Sequence, residues 1–186
     1  CLLISLDYVK QDKMNLFEYP LLTLLSVLGM LFLISSLDFI SLYLAIELQS
    51  LSFYLLAALK RGSSFSTEAA LKYFILGAFS SGLLLFGSSL IYGFSGTTNF
   101  EELSKLLLGV GSSSSLHTLG IVSGVIFVTS ALLFKVGAFP FHMWLPDVYE
   151  GVSTPITVFF AAVPKAVLLG LFIRLYGSIF PDMMYA

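Results

Sequence analysis

Long apolar runs, separated by short polar segments, dominate the chain. They occupy residues 19–37, 39–59, 73–100, 106–134 and 151–173. Charged residues interrupt them at two positions, Glu47 in the second run and Lys165 in the last. Each run is about as long as the roughly 20 residues that an α-helix needs to cross the hydrocarbon core of a bilayer. The pattern therefore predicts an all-α membrane protein with about five transmembrane helices.

The residues within the runs favour helices over strands, and glycine indicates where two helices end. The runs are continuously apolar and rich in Leu, Phe and Ala, whereas the strands of a membrane barrel alternate apolar and polar residues. Segments rich in Gly and Ser at 93–96 and 109–115 are typical of turns. They shorten the third and fourth predicted helices to Tyr73–Tyr92 and Leu116–Phe134.

Polar residues beside the runs indicate where two of the helices begin. Ser66-Thr67-Glu68 is expected to open the third helix, and Ser153-Thr154-Pro155 the fifth, with proline in the first turn. We expect residues 19–180 to form one five-helix transmembrane unit. Residues 1–18 are then an N-terminal extension or the end of an upstream segment, and residues 181–186 are a C-terminal tail.

The composition supports a membrane protein and excludes other classes. Hydrophobic residues make up 58% of the chain, charged residues 11%, and the mean hydropathy is +0.97, whereas a typical soluble domain carries about 25% charged residues. The net charge of −2 provides no basic surface for nucleic acid. Cys1 is the single cysteine, and no Cys/His cluster has metal-ligand spacing. The sequence therefore predicts no metal or cofactor site in this chain.

The positive residues indicate how the helices are oriented. An odd number of helices places the two ends of the unit on opposite faces of the membrane. One face receives Lys10, Lys13, Lys60, Arg61 and Lys72, and the other receives Lys105 and Arg174. Because loops on the cytoplasmic or matrix side are enriched in Lys and Arg, we expect the N-terminal end and the loop after Lys60 to face that side.

A polar stripe follows one face of the second predicted helix. Glu47 lies near the middle of this helix, where a lone carboxylate is costly and must face protein or water. Tyr43, Ser50 and Tyr54 share its face at helical spacing. Two interpretations follow: the stripe lines a hydrated cavity and relays protons, or Glu47 is a structural carboxylate that bonds a neighbouring helix.

Two lysines and a helix break characterise the C-terminal half. Lys165 lies about ten residues into the fifth run, too deep for its side chain to reach the membrane surface easily. Lys135 ends the fourth run, so the alternative for it is a side chain that extends to the membrane surface. Gly137 and Pro140 predict that the fourth helix breaks near Lys135 to Pro140. His142 either relays protons or forms a structural hydrogen bond. Broken helices at membrane depth mark ion pathways, so the two lysines and the carboxylate of the second run predict a proton pathway.

Three motifs resemble a known family of membrane proteins. They are Tyr43–Leu51 (YLAIELQSL), Glu68–Phe74 (EAALKYF), and Phe134-Lys135 followed by Pro140–Gly151 (PFHMWLPDVYEG). Over about residues 18–180 the chain resembles the chain 2 branch of the antiporter-like membrane subunits of NADH:ubiquinone oxidoreductase, respiratory complex I.

The resemblance implies a proton-pumping membrane-arm subunit that is built from two inverted five-helix repeats, of which this chain carries one. It implies that Glu47 pairs with Lys135 and that Lys165 passes protons onward. It also implies that NADH:ubiquinone redox chemistry in other subunits drives the pump. This chain would then be a non-redox subunit that is not catalytic on its own.

The resemblance further implies cofactors and partners. FMN, iron–sulfur clusters and ubiquinone are expected in partner subunits and not in this chain. The expected partners are other membrane-arm subunits, a chain with the second repeat if the subunit is split, and the lipid bilayer, but no nucleic acid. The expected location is the mitochondrial inner membrane, with a bacterial cytoplasmic membrane as the alternative. Two other functions stay open, namely a cation/proton antiporter without redox partners and a purely structural piece of the membrane arm.

Overall fold

Helices account for nearly all of the computed structural model, which describes residue 5 and residues 17–60, 62–109 and 115–179. From residue 17 onward the described helices are α1 (Glu18–Ser35), α2 (Phe39–Ala57), α3 (Ser64–Ser95), α4 (Phe100–Gly109), α5 (Ser115–Val136), α6 (Trp144–Gly151) and α7 (Thr154–Arg174). A π-helical segment, Leu175–Ile179, extends α7.

Five of the described helices, α1, α2, α3, α5 and α7, are long and apolar enough to cross a membrane. This confirms the predicted all-α membrane fold. Only 33–56% of each span is buried within the chain, so side chains such as Leu24, Leu31 and Phe79 are exposed, as expected of surfaces that face lipid. The predicted C-terminal tail, Lys10, Lys13, Arg61 and most of the predicted N-terminal extension lie outside the described residues.

The third transmembrane helix is longer than the sequence predicts. α3 has 32 residues, about 48 Å at 1.5 Å per residue, whereas the predicted helix covers Tyr73–Tyr92. The prediction that Ser66-Thr67-Glu68 opens it is wrong, because Ser63 is the N-cap and its hydroxyl accepts a hydrogen bond from the Ser66 amide at 3.4 Å. The helix extends beyond the apolar run because its polar first turn packs on protein: the Ser66 hydroxyl donates to the Ala57 carbonyl at 2.7 Å.

The start of the fifth transmembrane helix agrees with the sequence. Ser153 is the N-cap of α7, and Pro155 lies in its first turn. The predicted cap is therefore confirmed in position, although the Ser153 side chain forms no capping hydrogen bond.

The end of α3 and the helix after it were only partly predicted. Of the predicted turn at 93–96, only Gly96 leaves the helix, with a φ of 75°. α4 follows and was not predicted, because it joins the end of one apolar run to a charged segment. The Phe100 ring meets the Phe39 ring edge-on at 4.9 Å, and the Phe100 amide donates to the Leu37 carbonyl at 3.0 Å. These contacts tie the α3–α4 connection to the α1–α2 connection.

α3 and α5 pack closely where both carry glycine. A Cβ on Gly87 would lie 2.8 Å from the Gly124 carbonyl oxygen, and a Cβ on Gly124 would lie 2.9 Å from that of Gly87. Small residues of this kind let helix backbones approach each other in membranes. Further along, the Ser80 hydroxyl donates to the Ala131 carbonyl at 3.1 Å. The contacts hold Lys135, one turn beyond Ala131, against α3.

α1 packs on α2 next to the polar stripe. A Cβ on Gly29 would lie 2.9 Å from the Gln49 amide nitrogen and 3.2 Å from the Ala45 carbonyl oxygen. The two backbones therefore meet at these positions, and the approach requires glycine at position 29. This contact fixes the backbone of α2 beside Glu47.

Candidate functional site

The chain leaves the helical conformation directly after Lys135. Gly137 has a φ of 77°, a left-handed conformation that favours glycine. Its amide donates to the Phe134 carbonyl at 3.0 Å, and the Ala138 amide donates to the Leu133 carbonyl at 3.0 Å, which is the pattern of a Schellman motif. The predicted break in the fourth transmembrane helix is confirmed, and this C-terminal cap is its physical cause.

The short helix α6 packs back on α5 and α3. The indole nitrogen of Trp144 donates a buried hydrogen bond to the Phe134 carbonyl at 3.0 Å. The Trp144 ring also stacks on Tyr73, with centroids 4.8 Å apart and an interplanar angle of 9°. At the other end of α6, a Cβ on Gly151 would overlap the Cβ of Ala69. α6 is therefore held against the first half of α3.

An ion-pair cluster joins α3 and α6. The Lys72 ammonium lies 2.8 Å from an Asp147 carboxylate oxygen and 2.9 Å from a Glu68 carboxylate oxygen. Because all three side chains are at least 44% exposed, the cluster contributes little to stability, but it indicates where α6 docks. Nothing in the local sequence pattern links Lys72 to an aspartate 75 residues away along the chain.

Lys135 faces the polar stripe of α2. Its ammonium donates to the Ser81 hydroxyl at 3.3 Å and lies 6.0 Å from the centroid of the Tyr54 ring, at the limit of a cation–π interaction. A Cβ on Gly77 would overlap the Tyr54 hydroxyl. The ring therefore occupies space that glycine leaves free on α3.

Lys165 faces α6 and also lies beside a tyrosine ring. Its ammonium is 5.6 Å from the centroid of Tyr149. The Thr157 hydroxyl donates to the Tyr149 main-chain carbonyl at 3.4 Å, which links α6 to α7. Tyr149 was not among the predicted site residues, because its position after the helix break gave no indication of its neighbours.

Lys135 and Lys165 line the same small cavity, together with Gln49 and Ser50 of α2. The volume is about 20 Å³, measured to the centre of a water-sized sphere, which is room for one water molecule. The other lining residues are hydrophobic or aromatic: Ile46, Phe53, Tyr73, Trp144, Phe160, Pro164 and Leu168. The fold thus brings two predicted lysines and one predicted serine together within an apolar wall.

Glu47 lies next to this cavity without lining it. The Ser50 hydroxyl donates to its main-chain carbonyl at 3.2 Å, so Ser50 belongs both to the stripe and to the cavity. One carboxylate oxygen of Glu47 is buried and has no hydrogen-bond partner among the described residues. Tyr43, at the other end of the stripe, is half-buried against the core. Within the described part of the chain Glu47 and Lys135 form no ion pair, so the pairing that the resemblance implies stays a prediction.

His142 lies away from the two lysines. Its side chain is exposed, as is that of Pro140, and its ring lies 5.7 Å from the Phe139 ring. The structure does not bring His142 to the cavity, and its proposed relay role stays a prediction. Among the residues that the structure describes, no group of three His, Cys, Asp or Glu side chains could hold a metal ion.

Gln49 is a cavity-lining residue with a polar amide that the sequence analysis did not single out. The stripe was drawn through Glu47 at helical spacing, and a residue two positions further along a helix does not share that face. Gln49 lies within the motif Tyr43–Leu51, but the motif alone assigned it no role.

Comparison with known proteins gives a consistent result. Residues 36–185 match the family described as "NADH:quinone oxidoreductase/Mrp antiporter, TM". The chain is 55% identical to the NADH-ubiquinone oxidoreductase chain 2 of Marchantia polymorpha, over 97% of this chain and 37% of that protein. The chain thus spans about a third of the length of the curated relatives it matches.

Two solved structures share the fold. A chain of respiratory complex I from Thermus thermophilus with bound aureothin is 35% identical, with a TM-score of 0.71 over 85% of this chain and 34% of that chain. A chain of the Mrp complex from Dietzia sp. is 26% identical, with a TM-score of 0.77 over 89% of this chain and 30% of that chain. With a family match over most of its length, the chain belongs to the NADH:quinone oxidoreductase/Mrp antiporter family of transmembrane proteins.

Proposed function

We propose that this chain forms a proton-translocating half-channel in the membrane arm of NADH:quinone oxidoreductase. The observation that carries the proposal is that Lys135 and Lys165, from two different transmembrane helices, line one cavity beside the Glu47 stripe. A buried lysine holds its proton only while neighbouring groups stabilise the charge. Two such lysines at one cavity provide two alternative sites for the same proton.

Glu47 is the group that biases this choice. Glu47 lies one helical turn before Ser50, which lines the cavity, and a carboxylate at membrane depth acts over a long range because the surroundings screen it weakly. When Glu47 is charged, it favours a proton on the lysine closer to it. When that charge is neutralised, the proton moves to the other lysine.

The energy must come from outside this chain. Moving one charge against 100 mV costs about 2.3 kcal/mol, and no redox centre is predicted here. In the proposal, NADH:quinone redox chemistry in partner subunits, with FMN, iron–sulfur clusters and ubiquinone, drives the pump, and this chain is a non-redox subunit. Its partners are other membrane-arm subunits, with a chain that carries the second repeat among them if the subunit is split, in the mitochondrial inner membrane or a bacterial cytoplasmic membrane.

Substitutions in the full-length subunit within the assembled complex test this function. We expect Lys135→Met and Glu47→Gln to leave the complex assembled but to reduce the number of protons pumped per NADH oxidised, measured in proteoliposomes. Lys105→Met is the matched control, because Lys105 is an exposed lysine on α4, and its pumping should equal wild type. Wild-type pumping by assembled Lys135→Met would contradict the proposal and leave a purely structural role.

A cation/proton antiporter subunit without redox partners is the second candidate. The likeness to the Mrp complex chain supports it, because the same fold occurs there. Purification of the native complex distinguishes the two functions. Flavin and iron–sulfur clusters that copurify with the chain favour the oxidoreductase, whereas proton release on addition of Na⁺ by a preparation that lacks them favours the antiporter.

A further inference from the structure

Gln49 has a buried acceptor without a partner. Its side chain is 7% exposed, and its amide oxygen is buried and has no hydrogen-bond partner among the described residues. Buried acceptors in folded proteins are almost always satisfied, by protein or by ordered water. Because Gln49 lines the cavity between the two lysines, this atom points to a ligand that the cavity holds.

The cavity fits a single water molecule in size and chemistry. A buried water needs two to four polar partners and space for about one water-sized sphere, and the cavity volume is about 20 Å³. The polar lining residues are Gln49, Ser50, Lys135 and Lys165. They supply an amide oxygen, a hydroxyl and two nitrogens, whereas the rest of the wall is too apolar to hold an ion on its own.

We propose that Gln49 anchors a bridging water between Lys135 and Lys165 and is thereby a positioning residue for proton transfer between them. The inference rests on the proposed function, which it deepens by naming the bridge. The amide oxygen of Gln49 accepts a hydrogen bond from the water. This contact orients one water hydrogen towards Gln49 and leaves the oxygen lone pairs and the other hydrogen for the lysines.

The transfer conserves atoms and charge. The Lys135 ammonium gives one proton to the water oxygen and becomes a neutral amine, while the water gives a different proton to the neutral amine of Lys165. The water is regenerated, no electron moves, and one positive charge has passed from α5 to α7. Gln49 keeps its own protons throughout.

The backbone of α2 holds Gln49 in place for this role. Gly29 of α1 approaches so closely that a Cβ there would lie 2.9 Å from the Gln49 amide nitrogen. Because the two backbones are already in contact, α2 cannot shift further towards α1 at this residue. His142, for which the sequence left a relay role and a structural hydrogen bond open, is exposed and does not line the cavity, so it is not a partner of this water.

The experiment uses the full-length subunit in the assembled complex and two readouts. One is cryo-electron microscopy at a resolution that shows ordered water, and the other is the number of protons pumped per NADH oxidised. In wild type we expect water density within hydrogen-bond distance of the Gln49 amide oxygen. Gln49→Met keeps the length of the side chain but removes its polar atoms, so we expect that density to be lost and the number of protons pumped per NADH oxidised to fall below the wild-type value.

The control is Ser52→Ala on the same helix. Ser52 is also buried, but its hydroxyl donates to the Leu48 carbonyl of its own helix at 2.8 Å, and it does not line the cavity. This variant should retain both the water density and wild-type pumping.

Two results would overturn the inference: a cavity without ordered water in wild type, or wild-type pumping by assembled Gln49→Met. A failure of the proposed function is distinguishable, because it appears as wild-type pumping by Lys135→Met. In that case the water density still decides whether Gln49 binds water.

Discussion

The indole nitrogen of Trp144 donates a hydrogen bond to the main-chain carbonyl of Phe134, 3.0 Å away. Carbonyls in the last turn of a helix lack partners within the helix, and Phe134 directly precedes Lys135. The bond therefore does two things at once. It adds a second donor to a carbonyl that also accepts from the Gly137 amide, and it fixes the short helix α6 beside the lysine.

Removal of this hydrogen bond should destabilise the site measurably. Trp144→Phe retains an aromatic ring for stacking on Tyr73 but loses the N–H group, so we expect a loss of about 1 kcal/mol, the usual net value of one buried hydrogen bond. The measurement is the apparent free energy of unfolding of the purified protein in detergent. Trp144→Leu serves as the comparison and should lose more, because stacking disappears as well. Equal stability of wild type and Trp144→Phe would mean that the bond contributes nothing.

Two glycines with the same backbone conformation allow the energetic cost of backbone strain to be distinguished from the cost of steric overlap. Gly137 and Gly96 have φ angles of 77° and 75°, and alanine in this region costs about 1–2 kcal/mol at either position. A Cβ on Gly137 would also overlap the Leu145 side chain, whereas nothing lies within 4 Å of one on Gly96. We therefore expect Gly137→Ala to lower the melting temperature in detergent more than Gly96→Ala. Equal melting temperatures would show that Leu145 moves aside freely, and the reverse order would contradict the prediction.

The contact between α3 and α5 provides a second matched pair. Gly87→Ala places a Cβ 2.8 Å from main-chain atoms of α5, which forces the helices apart and should cost about 1–3 kcal/mol. Gly82→Ala, on the same helix with nothing within 4 Å, should be neutral or slightly stabilising because alanine favours helix. Thermal unfolding of both variants in detergent checks this order, and similar melting temperatures would argue against close packing at Gly87.

The ion-pair cluster on α3 and α6 should respond to substitutions in a non-additive way. Lys72 contacts both Asp147 and Glu68, so Asp147→Asn or Glu68→Gln alone leaves it one partner. We expect each single variant to melt close to wild type, since exposed pairs contribute little, and the double variant to melt lower than the sum of the two predicts. Strict additivity over the four proteins would show that the two carboxylates act independently of Lys72.

The sequence by itself determined the membrane fold, because the information is local. Each apolar run is long enough to span the bilayer on its own, and the glycine and proline after Lys135 indicated the break without reference to other helices. The predicted limits of α3 were wrong because they depend on contacts that are not local in the sequence. Its polar first turns are helical because they pack on α2 and α6, and a pattern of hydropathy does not contain those contacts.

The candidate site likewise has residues that the sequence predicted and residues that only the structure revealed. A charged residue in an apolar run is conspicuous in any sequence, and this cost selected Glu47 and Lys165. Lys135 was selected because it ends an apolar run next to the predicted helix break. Only the tertiary structure decided which polar groups meet: the packing of α2, α5 and α7 brought Gln49 into one cavity with both lysines and left His142 on the surface. An uncharged glutamine costs too little in a helix to be conspicuous, and its role depends on neighbours that lie far away along the chain.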